Sequence, residues 1–557
     1  MLDRRQTQAV LQQCLRQPVF ILARDGARGL LGLPASVRRS LCRLADVPSS
    51  PQPADSAQPA LLSAGPAHHE QGYRQPDGGG IYAGWHWDGA TLQLFTDRYG
   101  IHPLYYFWTD GVLGVSRSLP ALLAAGAPAD LDMKGLSVFL RVGYFVGERT
   151  AFRHIRVLPE GGSLVWKPLF SADSAPQVRS NPVCVAPCHE GPVTGAAKKR
   201  YMDGYIDLFR QAVSRCLSVT EGPVGLQLSG GRDSRYILLE LHRQNRLPQL
   251  AVTARHFPPR GDDDADIAAE LARRTGCRHE IIGAAPSRLT AEWCCHLETD
   301  FCADEHSWAR GAGLRLKTLG CTVFDGLGGD NLSESGLVTE ERCRMLERGE
   351  YAEFARGLTA SPAVFSETAM RLVLRPELYA AMPHEMALAE LEEALRRCSG
   401  DPRPARRFFF TARLRREVAL LTFGVFGGGI AVAPFLDASL HDYLCSLPHE
   451  LLVPRGFHSM TITAAYPEFA DIPFEKKGTV QRDDAAHSLR LCRELAMLGL
   501  RRRSRLLNNA VLWPRLLRGA LDSRYGASTR WFTLTAAYLY HLEEMAEACG
   551  AKREAVS

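Results

Sequence analysis

The fold of the C-terminal part of this chain is decided by residues 224–241, which read VGLQLSGGRDSRYILLEL. The first letters form a short apolar run typical of a buried strand, and the last letters have the apolar spacing of a helix. Between them, Gly230 and Gly231 allow a tight turn and the close approach of a ligand to the backbone. The pattern therefore predicts a strand that turns directly into the N-terminus of a helix.

This strand-to-helix turn has the chemistry of a phosphate-binding loop. A helix N-terminus offers unpaired N–H groups and the positive end of a dipole, which together bind phosphate. The turn lacks the Gly-Lys-Ser/Thr ending of a Walker A loop. A plain turn with a Ser or Asp cap stays open as the alternative at this point. The candidate ligand-binding residues are Leu228, Ser229, Gly230, Gly231, Asp233 and Ser234.

A second loop of similar composition follows at residues 322–332, TVFDGLGGDNL. It again places glycine-rich backbone and a carboxylate directly after a strand-like run. In a parallel sheet both loops would lie at the carboxyl ends of strands, where ligands of open α/β sheets bind. Asp233 and Asp330 would then share a Mg²⁺ ion, which takes carboxylate and phosphate oxygens. Asp330 also suits a helix cap or a turn.

The residues around these loops alternate between strand-like and helix-like runs. This alternation predicts βαβ units and a mostly parallel sheet, with a predominantly helical part after about residue 400. The strand-like runs are 224–228, 250–254, 279–282 and 322–324, and the helix-like runs are 201–218, 264–275 and 385–397.

The region before about residue 170 has a different pattern. Asp-Gly pairs at 88–89 and 110–111 separate short apolar and aromatic runs, which predicts antiparallel hairpins. Residues 47–80 are rich in Pro, Ser, Ala and Gly and are expected to form a flexible loop. We expect a β-rich domain over 1–170, a linker over 171–198 and a second domain over 199–557.

Composition and charge exclude several classes of protein. The 66 Lys and Arg against 61 Asp and Glu leave a net charge of +5, too small to indicate a nucleic-acid or membrane partner. No apolar run reaches the length of a membrane span. The 15 scattered cysteines favour reduced thiols over a disulfide framework. We therefore expect a cytoplasmic protein that binds neither nucleic acid nor membrane.

Both regions resemble the asparagine synthetase family at several ordered places. Residues 229–234 match the family's Ser-Gly-Gly-x-Asp-Ser pyrophosphatase-type loop, and 325–332 resemble its Ser-Gly-Glu-Gly-Ala-Asp-Glu-Leu segment. DRYGIHPLYY at 97–106 resembles a stretch of the glutaminase-type domain. APFLD at 433–437 is similar to the family's Arg-x-Pro-Phe-Leu-Asp.

The resemblance implies an α/β chain of two domains. The first would be an Ntn-hydrolase-like, class II glutamine amidotransferase-like domain that is rich in β-structure. The second would be an adenine-nucleotide α-hydrolase-like (PP-loop) synthetase domain with a parallel sheet and a helical C-terminal part. The implied activity is an AMP-forming ligase, in which ATP and Mg²⁺ adenylate a substrate carboxylate and an amine then attacks it.

The family pattern also implies roles for individual residues. The Ser229 to Ser234 loop would hold pyrophosphate, Gly326 would lie near adenine or ribose, and Asp233 and Asp330 would bind Mg²⁺. A late lysine neutralises negative charge in the transition state, and either Lys476 or Lys477 fits this role.

Two departures from the family bear on the amine donor. The family's glutaminase uses an N-terminal cysteine, whereas residue 2 is Leu here and the first cysteine is Cys14. Leu327 stands where asparagine synthetases carry Glu and β-lactam synthetases carry Tyr, and Leu cannot relay a proton. We therefore expect ammonia or a substrate amine as donor, without glutamine hydrolysis, and a small-molecule or peptide carboxylate as acceptor.

Two alternatives remain open from the sequence. One is an intramolecular amide ligase of the lasso-peptide cyclase or β-lactam synthetase type, members of the family that also lack the nucleophilic cysteine. The other is a non-catalytic, nucleotide-binding regulatory or scaffold homologue. The oligomeric state stays open too, a homodimer included.

Overall fold

A computed structural model of the chain describes fourteen segments, to which every structural statement below refers. They are residues 4–24, 33–40, 42–43, 61–109, 111–168, 175–183, 193–258, 263–304, 306–334, 337–360, 366–426, 430–452, 456–475 and 485–554.

The strands fall into three sheets. In chain order they are β1 (Val19–Arg24), β2 (Cys42–Arg43), β3 (Leu61–Ala64), β4 (His68–Arg74), β5 (Gly80–Trp87), β6 (Leu92–Thr96), β7 (Tyr105–Thr109), β8 (Val112–Ser116), β9 (Ile155–Val157), β10 (Ser163–Trp166), β11 (Gln177–Arg179), β12 (Val224–Gln227), β13 (Leu250–Ala254), β14 (His279–Ile282), β15 (Thr322–Phe324) and β16 (Ala431–Val432).

The first ten α-helices that the structure describes lie between residues 4 and 334 of the chain. They are α1 (Arg4–Leu15), α2 (Ala35–Ser40), α3 (Leu119–Ala124), α4 (Met133–Val142), α5 (Gly195–Ser218), α6 (Asp233–Arg243), α7 (Asp263–Thr275), α8 (Arg288–Glu298), α9 (Arg310–Lys317) and α10 (Gly329–Glu334).

The remaining helices form the C-terminal part, together with π-helical segments at Phe410–Val418 and Leu421–Val425 and short 3₁₀ turns. They are α11 (Glu340–Glu347), α12 (Tyr351–Thr359), α13 (Glu367–Val373), α14 (Pro376–Ala381), α15 (His384–Arg396), α16 (Pro404–Phe409), α17 (Ala438–Ser446), α18 (His449–Leu452), α19 (Phe457–Ala465), α20 (Ala485–Arg501), α21 (Asn509–Leu521), α22 (Ser523–Ala527) and α23 (Arg530–Glu554).

The N-terminal domain is a sandwich of two antiparallel sheets. Their strand orders are β2-β3-β1-β8-β7-β9 and β11-β10-β6-β5-β4. Successive side chains of β1 point to opposite faces. Phe20 and Leu22 therefore join the core between the sheets, while Ile21 and Ala23 join a core shared with helices. Because both faces of β1 are buried, this strand has a nearly continuous apolar sequence.

The C-terminal sheet is parallel throughout, with the order β14-β13-β12-β15-β16. This confirms the predicted two-domain α/β architecture with a parallel sheet in the second domain. Strand β12 lies at the centre, and β13 and β15 are its two neighbours. The loops that follow β12 and β15 therefore leave the sheet side by side at its carboxyl edge.

Part of the predicted loop over 47–80 differs from this expectation. Strands β3 and β4 occupy residues 61–64 and 68–74 of it, and the expected linker contains β11, which pairs with β10. The segment HHEQGYR of β4 has few apolar residues, so its composition hides an edge strand that pairs along its whole length with β5. Residues 44–60 lie outside the described part of the chain.

The structure describes no helix with the length and apolar composition needed to cross a lipid bilayer.

Candidate functional site

The loop after β12 is held in shape by its own serines. The backbone N–H of Ser229 donates to Oγ of Ser234 at 2.9 Å, and the two serine hydroxyls lie 3.1 Å apart. The N–H of Gly231 donates to Oγ of Ser229 at 3.2 Å. These contacts hold the turn between β12 and α6. The first N–H groups of a helix have no hydrogen-bond partner within the helix. Sequence-predicted Leu228 is buried at the end of the strand.

Asp264 on α7 fixes the same loop from the side, and the sequence prediction did not include it as a site residue. Its carboxylate accepts a hydrogen bond from the N–H of Gly230. A Cβ atom at Gly230 would lie 2.9 Å from Cβ of Ile267, so glycine is required for this close approach of α7. The signal available in the sequence was the acidic run before α7, after the neighbouring strand.

The second loop lies directly against Asp233. The N–H of Asp330 donates to Oδ2 of Asp233 at 3.2 Å. Gly326 and Gly329 approach so closely that a Cβ atom on either would lie within 2.6 Å of the Asp233 side chain. The structure thus brings predicted residues Asp233, Gly326 and Asp330 together at one edge of the sheet. Asp233 keeps about a quarter of its side chain exposed, and Asp330 is exposed.

A buried histidine contacts the other oxygen of Asp233. Nε2 of His458 lies 2.9 Å from Oδ1 of Asp233, and Nδ1 lies 2.9 Å from the hydroxyl of Tyr205. An ionised carboxylate only accepts hydrogen bonds, so Nε2 is the donor in this pair. The ring also stacks on Tyr205 with centroids 5.8 Å apart. His458 comes from α19, 225 residues away, and the sequence prediction missed it.

Residues 325–327 of the second loop are buried or half-buried under the site. Burial raises the pKa of Asp325 to about 6, against opposing hydrogen bonds from Thr422 and from the N–H of Leu327. That N–H lies 2.8 Å from Oδ1 of Asp325. The Leu327 side chain belongs to the apolar core of the second domain. At this position the chain therefore places an aliphatic side chain in the core and no group that transfers protons.

The two candidate lysines, Lys476 and Lys477, lie outside the described residues. The segment that leads to them ends at the loop after β12, since the N–H of Glu475 donates to the carbonyl of Gly230 at 3.0 Å. Arg235 of α6 donates to the carbonyl of Ile472 at 2.9 Å, and its guanidinium lies 4.2 Å from the ring centroid of Phe474. The chain immediately before the lysines is thus fixed at the site.

The donor set at this edge fits a magnesium–nucleotide complex. Mg²⁺ is usually held by one or two carboxylates while phosphate oxygens and waters supply its remaining ligands. Asp233 and Asp330 provide two carboxylates on touching loops. The structure describes no group of three or more His, Cys, Asp or Glu side chains that could hold an ion by themselves. The site therefore suits a cation that arrives with phosphates.

Family models match the two halves of the chain separately. The glutamine amidotransferase domain matches residues 68–171, and asparagine synthase matches residues 204–405. Together they cover more than half of the chain and separate at the change from antiparallel to parallel sheets. This chain belongs to the asparagine synthetase family. Both loops of the site fall within the asparagine synthase match.

A solved structure also aligns with part of this asparagine synthetase family member. Glutamine phosphoribosylpyrophosphate amidotransferase from B. subtilis, in complex with ADP and GMP, aligns at 13% identity with a TM-score of 0.13. The alignment covers 36% of this chain and 32% of that one, about a third of its length, and carries no weight for the fold. No curated protein matches the chain.

Membership of the asparagine synthetase family supports an ATP-dependent, amide-forming carbon–nitrogen ligase. The amidotransferase match begins at residue 68, after Cys14 and β1.

Proposed function

We propose that this protein is an AMP-forming ligase that adenylates a substrate carboxylate and joins it to ammonia or to an amine of the substrate. The observation that carries the proposal is the contact of the two loops at Asp233, where Gly326 and Gly329 leave no room for a side chain. Such close approach places Asp233 and Asp330 at one edge of a parallel sheet, where open α/β sheets bind ligands. In this account the second domain has the PP-loop fold and the first has an Ntn-hydrolase fold.

Each part of the loop has a role in this proposal. The backbone N–H groups of Ser229, Gly230 and Gly231 would hold pyrophosphate, exchanging the bonds that they now make to Ser234, Asp264 and Ser229. Asp233 and Asp330 would hold Mg²⁺, which neutralises phosphate charge when bound. Whichever of Lys476 and Lys477 reaches the site would add positive charge there.

His458 acts in this proposal as a positioning residue for Asp233. A carboxylate with one rotatable χ1 and one χ2 angle has several orientations, and a buried hydrogen-bond donor selects one of them. Because Tyr205 holds the far side of the ring, the order Tyr205, His458, Asp233 fixes the carboxylate before any ligand binds.

The amine donor follows from the environment of the cysteines in the first domain. The family's glutaminase uses the thiol and the α-amino group of one residue, so a cysteine inside a helix or a strand lacks the free amine. Cys14 lies within α1, and Cys42 lies within β2. Burial raises the pKa of the Cys14 thiol, which donates to the carbonyl of Leu297 at 3.5 Å. Neither residue suits glutamine hydrolysis.

The buried Leu327 favours a second candidate, the intramolecular ligase of the lasso-peptide cyclase or β-lactam synthetase type. An amine on the substrate itself is positioned by binding, which converts a bimolecular attack into an intramolecular one. Such an enzyme depends less on a proton-transferring side chain at position 327. A cytoplasmic location and the absence of nucleic-acid and membrane partners remain predictions from composition, as does the oligomeric state.

The test measures pyrophosphate release from Mg-ATP with a panel of amino acids and peptide acids, with ammonium added or omitted. We expect one or more acids to stimulate release, and Asp233→Asn to reduce it by about 100-fold or more, because the cation loses a charged ligand. Asp207→Asn, an exposed aspartate on α5, is the matched control and should behave as wild type. Release that no acid raises above the Asp233→Asn background would favour the non-catalytic homologue.

A further inference from the structure

A second group of reactive side chains lies on α17, apart from the two loops. Sγ of Cys445 lies 3.7 Å from Nε2 of His441, one helical turn earlier. Nδ1 of the same ring lies 2.9 Å from Oδ1 of Asp442, and Arg98 of the first domain contacts this carboxylate at 2.7 Å. A thiol, an imidazole and a carboxylate are thus joined in the order that activates cysteine nucleophiles.

Arginines from a neighbouring element line the cavity beside the same thiol. Cys445 and His441 line a small cavity with Leu332, Phe410, Pro402, three arginines and the acidic Asp401. The basic residues of this wall are Arg403, Arg406 and Arg407. Positive charge beside a cysteine sulfur favours the thiolate over the thiol.

The protonation of the pair follows from this arrangement. Burial alone raises the pKa of the Cys445 thiol, but the charge and hydrogen bond of His441 outweigh it, and the pKa lies below its ordinary value. Burial lowers the pKa of His441, but Cys445 and Asp442 outweigh this effect, and the pKa of the ring is raised. The largest contribution that opposes burial in both shifts is the mutual stabilisation of a thiolate and an imidazolium.

Two other cysteines provide a comparison at nearly equal exposure. The exposed fraction is 8% for Cys445, 7% for Cys277 and 6% for Cys398. The thiols of Cys277 and Cys398 donate to backbone carbonyls, those of Pro248 and Ala394 among them. Burial raises the pKa of Cys277 to about 11 and that of Cys398 to about 12. Three cysteines of similar exposure therefore have thiol pKa values that shift in different directions, downward for Cys445 and upward for Cys277 and Cys398.

We propose that Cys445 is an oxidation site whose sulfur, beside His441, reacts with hydrogen peroxide to form a sulfenic acid. The thiolate attacks one peroxide oxygen, so that an S–O bond forms as the O–O bond breaks. The sulfur loses two electrons to the peroxide, and the departing hydroxide takes the proton of the imidazolium and leaves as water. The cavity beside the sulfur has a volume of about 20 Å³, more than the roughly 10–15 Å³ that one water molecule needs.

The experiment compares three cysteines within the same folded protein. A pulse of hydrogen peroxide at pH 7 is ended with catalase, the chain is unfolded in an alkylating agent, and the thiol left at each cysteine is quantified by peptide mass spectrometry. We expect Cys445 to be oxidised about tenfold or more faster than Cys277 and Cys398, because an ordinary thiol is only a few per cent thiolate at this pH. Equal rates at the three positions would overturn the proposal.

His441→Gln tests the partner, since glutamine keeps a hydrogen-bonding group and carries no positive charge. The rate at Cys445 should fall about tenfold towards that of Cys398, while an unchanged rate at Cys277 shows that the fold is retained. An unchanged rate at Cys445 in a folded variant would contradict the role of His441. If the variant does not fold, the comparison within the wild-type protein still decides. Neither readout depends on the ligase reaction.

Discussion

Asp97 in the first domain and Asp233 in the second use their carboxylates in different ways. In the first domain, Asp97 accepts hydrogen bonds from the N–H groups of Tyr99 at 2.8 Å and His102 at 3.4 Å, so its carboxylate closes a local turn. In the second, Asp233 is contacted by residues from two distant segments, Asp330 and His458. Asp97 therefore holds the local shape of the first domain, whereas Asp233 lies where a ligand can reach it.

Arginines of the second domain donate hydrogen bonds to backbone carbonyls of the first at the boundary between the domains. Arg415, from the π-helical segment of the second domain, donates to the carbonyls of Gly100 and Leu158 in the first. Arg416 donates to the carbonyl of Arg149 at 2.7 Å. Burial lowers the pKa of Arg415 to about 10, against opposing carboxylates that include Asp97. The first domain therefore contributes a rigid surface against which the helical part of the second is fixed.

The largest effect is expected at the contact between the two loops. Gly329→Ala places a Cβ atom 2.4 Å from the Asp233 carboxylate, so one loop must move. Acid-dependent pyrophosphate release should fall about 100-fold, because a displacement near 1 Å at a reacting centre has effects of this size.

Gly357→Ala on α12 is the matched control, since a Cβ atom there meets nothing within 4 Å. We expect it to retain full activity and to stabilise the helix by about 0.5–1 kcal/mol, as alanine does in place of an exposed helical glycine. Retained activity in Gly329→Ala would show that the contact of the loops is dispensable.

These loops were also the part of the site that the sequence predicted best. A strand, two glycines and a helix start are encoded locally, and the parallel sheet predicted from the alternation of runs brings the ends of β12 and β15 together. The sequence around His458 carries no signal of a role at the site. His458 contacts Asp233 because α19 packs against α5 and α10. Asp264 contacts the loop through the packing of α7, and β4 was missed because HHEQGYR has few apolar residues.

A smaller effect is expected from the residues that orient Asp233. His458→Gln should lower kcat by about 10- to 100-fold with a lesser change in KM, as for other hydrogen-bond partners of ligand-binding carboxylates. Tyr205→Phe keeps the ring stack and removes one hydroxyl, so its effect should be near 1 kcal/mol in stability and smaller on kcat. A larger loss of kcat in Tyr205→Phe than in His458→Gln would contradict a role that passes through His458.

At the boundary between the domains we expect a substitution to change the stability of the protein and not its catalytic activity. Arg415→Met leaves the carbonyls of Gly100 and Leu158 without this donor and should lower the free energy of unfolding by about 2–4 kcal/mol. Arg397→Met, an exposed arginine paired with Glu393 at 3.2 Å, should change it by less than about 1 kcal/mol. Thermal unfolding of the two variants gives the difference. Equal melting temperatures would show that the boundary contributes little.

A pH dependence of stability is expected at Asp300, whose carboxylate accepts the N–H of Leu119 at 2.8 Å. Burial raises its pKa to about 7, against the Leu119 hydrogen bond and the charge of Arg117. The folded state therefore favours the protonated acid, and this stabilisation is complete below pH 4 and lost as the pH rises through 7. Asp300→Asn removes the titration, and asparagine tolerates the positive φ of 52° at this position.

We expect the melting temperature of Asp300→Asn, relative to wild type, to rise between pH 4 and pH 8, because wild type loses this stabilisation over that range and the asparagine variant does not. A relative melting temperature that falls over this range would show that the carboxylate is stabilised in its charged form.

The most direct test of the division of labour between the domains measures two products in one reaction. Mg-ATP, a stimulating acid and either glutamine or ammonium are incubated with the protein, and pyrophosphate and glutamate are quantified together. We predict pyrophosphate that depends on Asp233, no glutamate above background, and no change in either product for Cys14→Ala. Glutamate formed in equal amount to pyrophosphate with glutamine as donor would contradict the account.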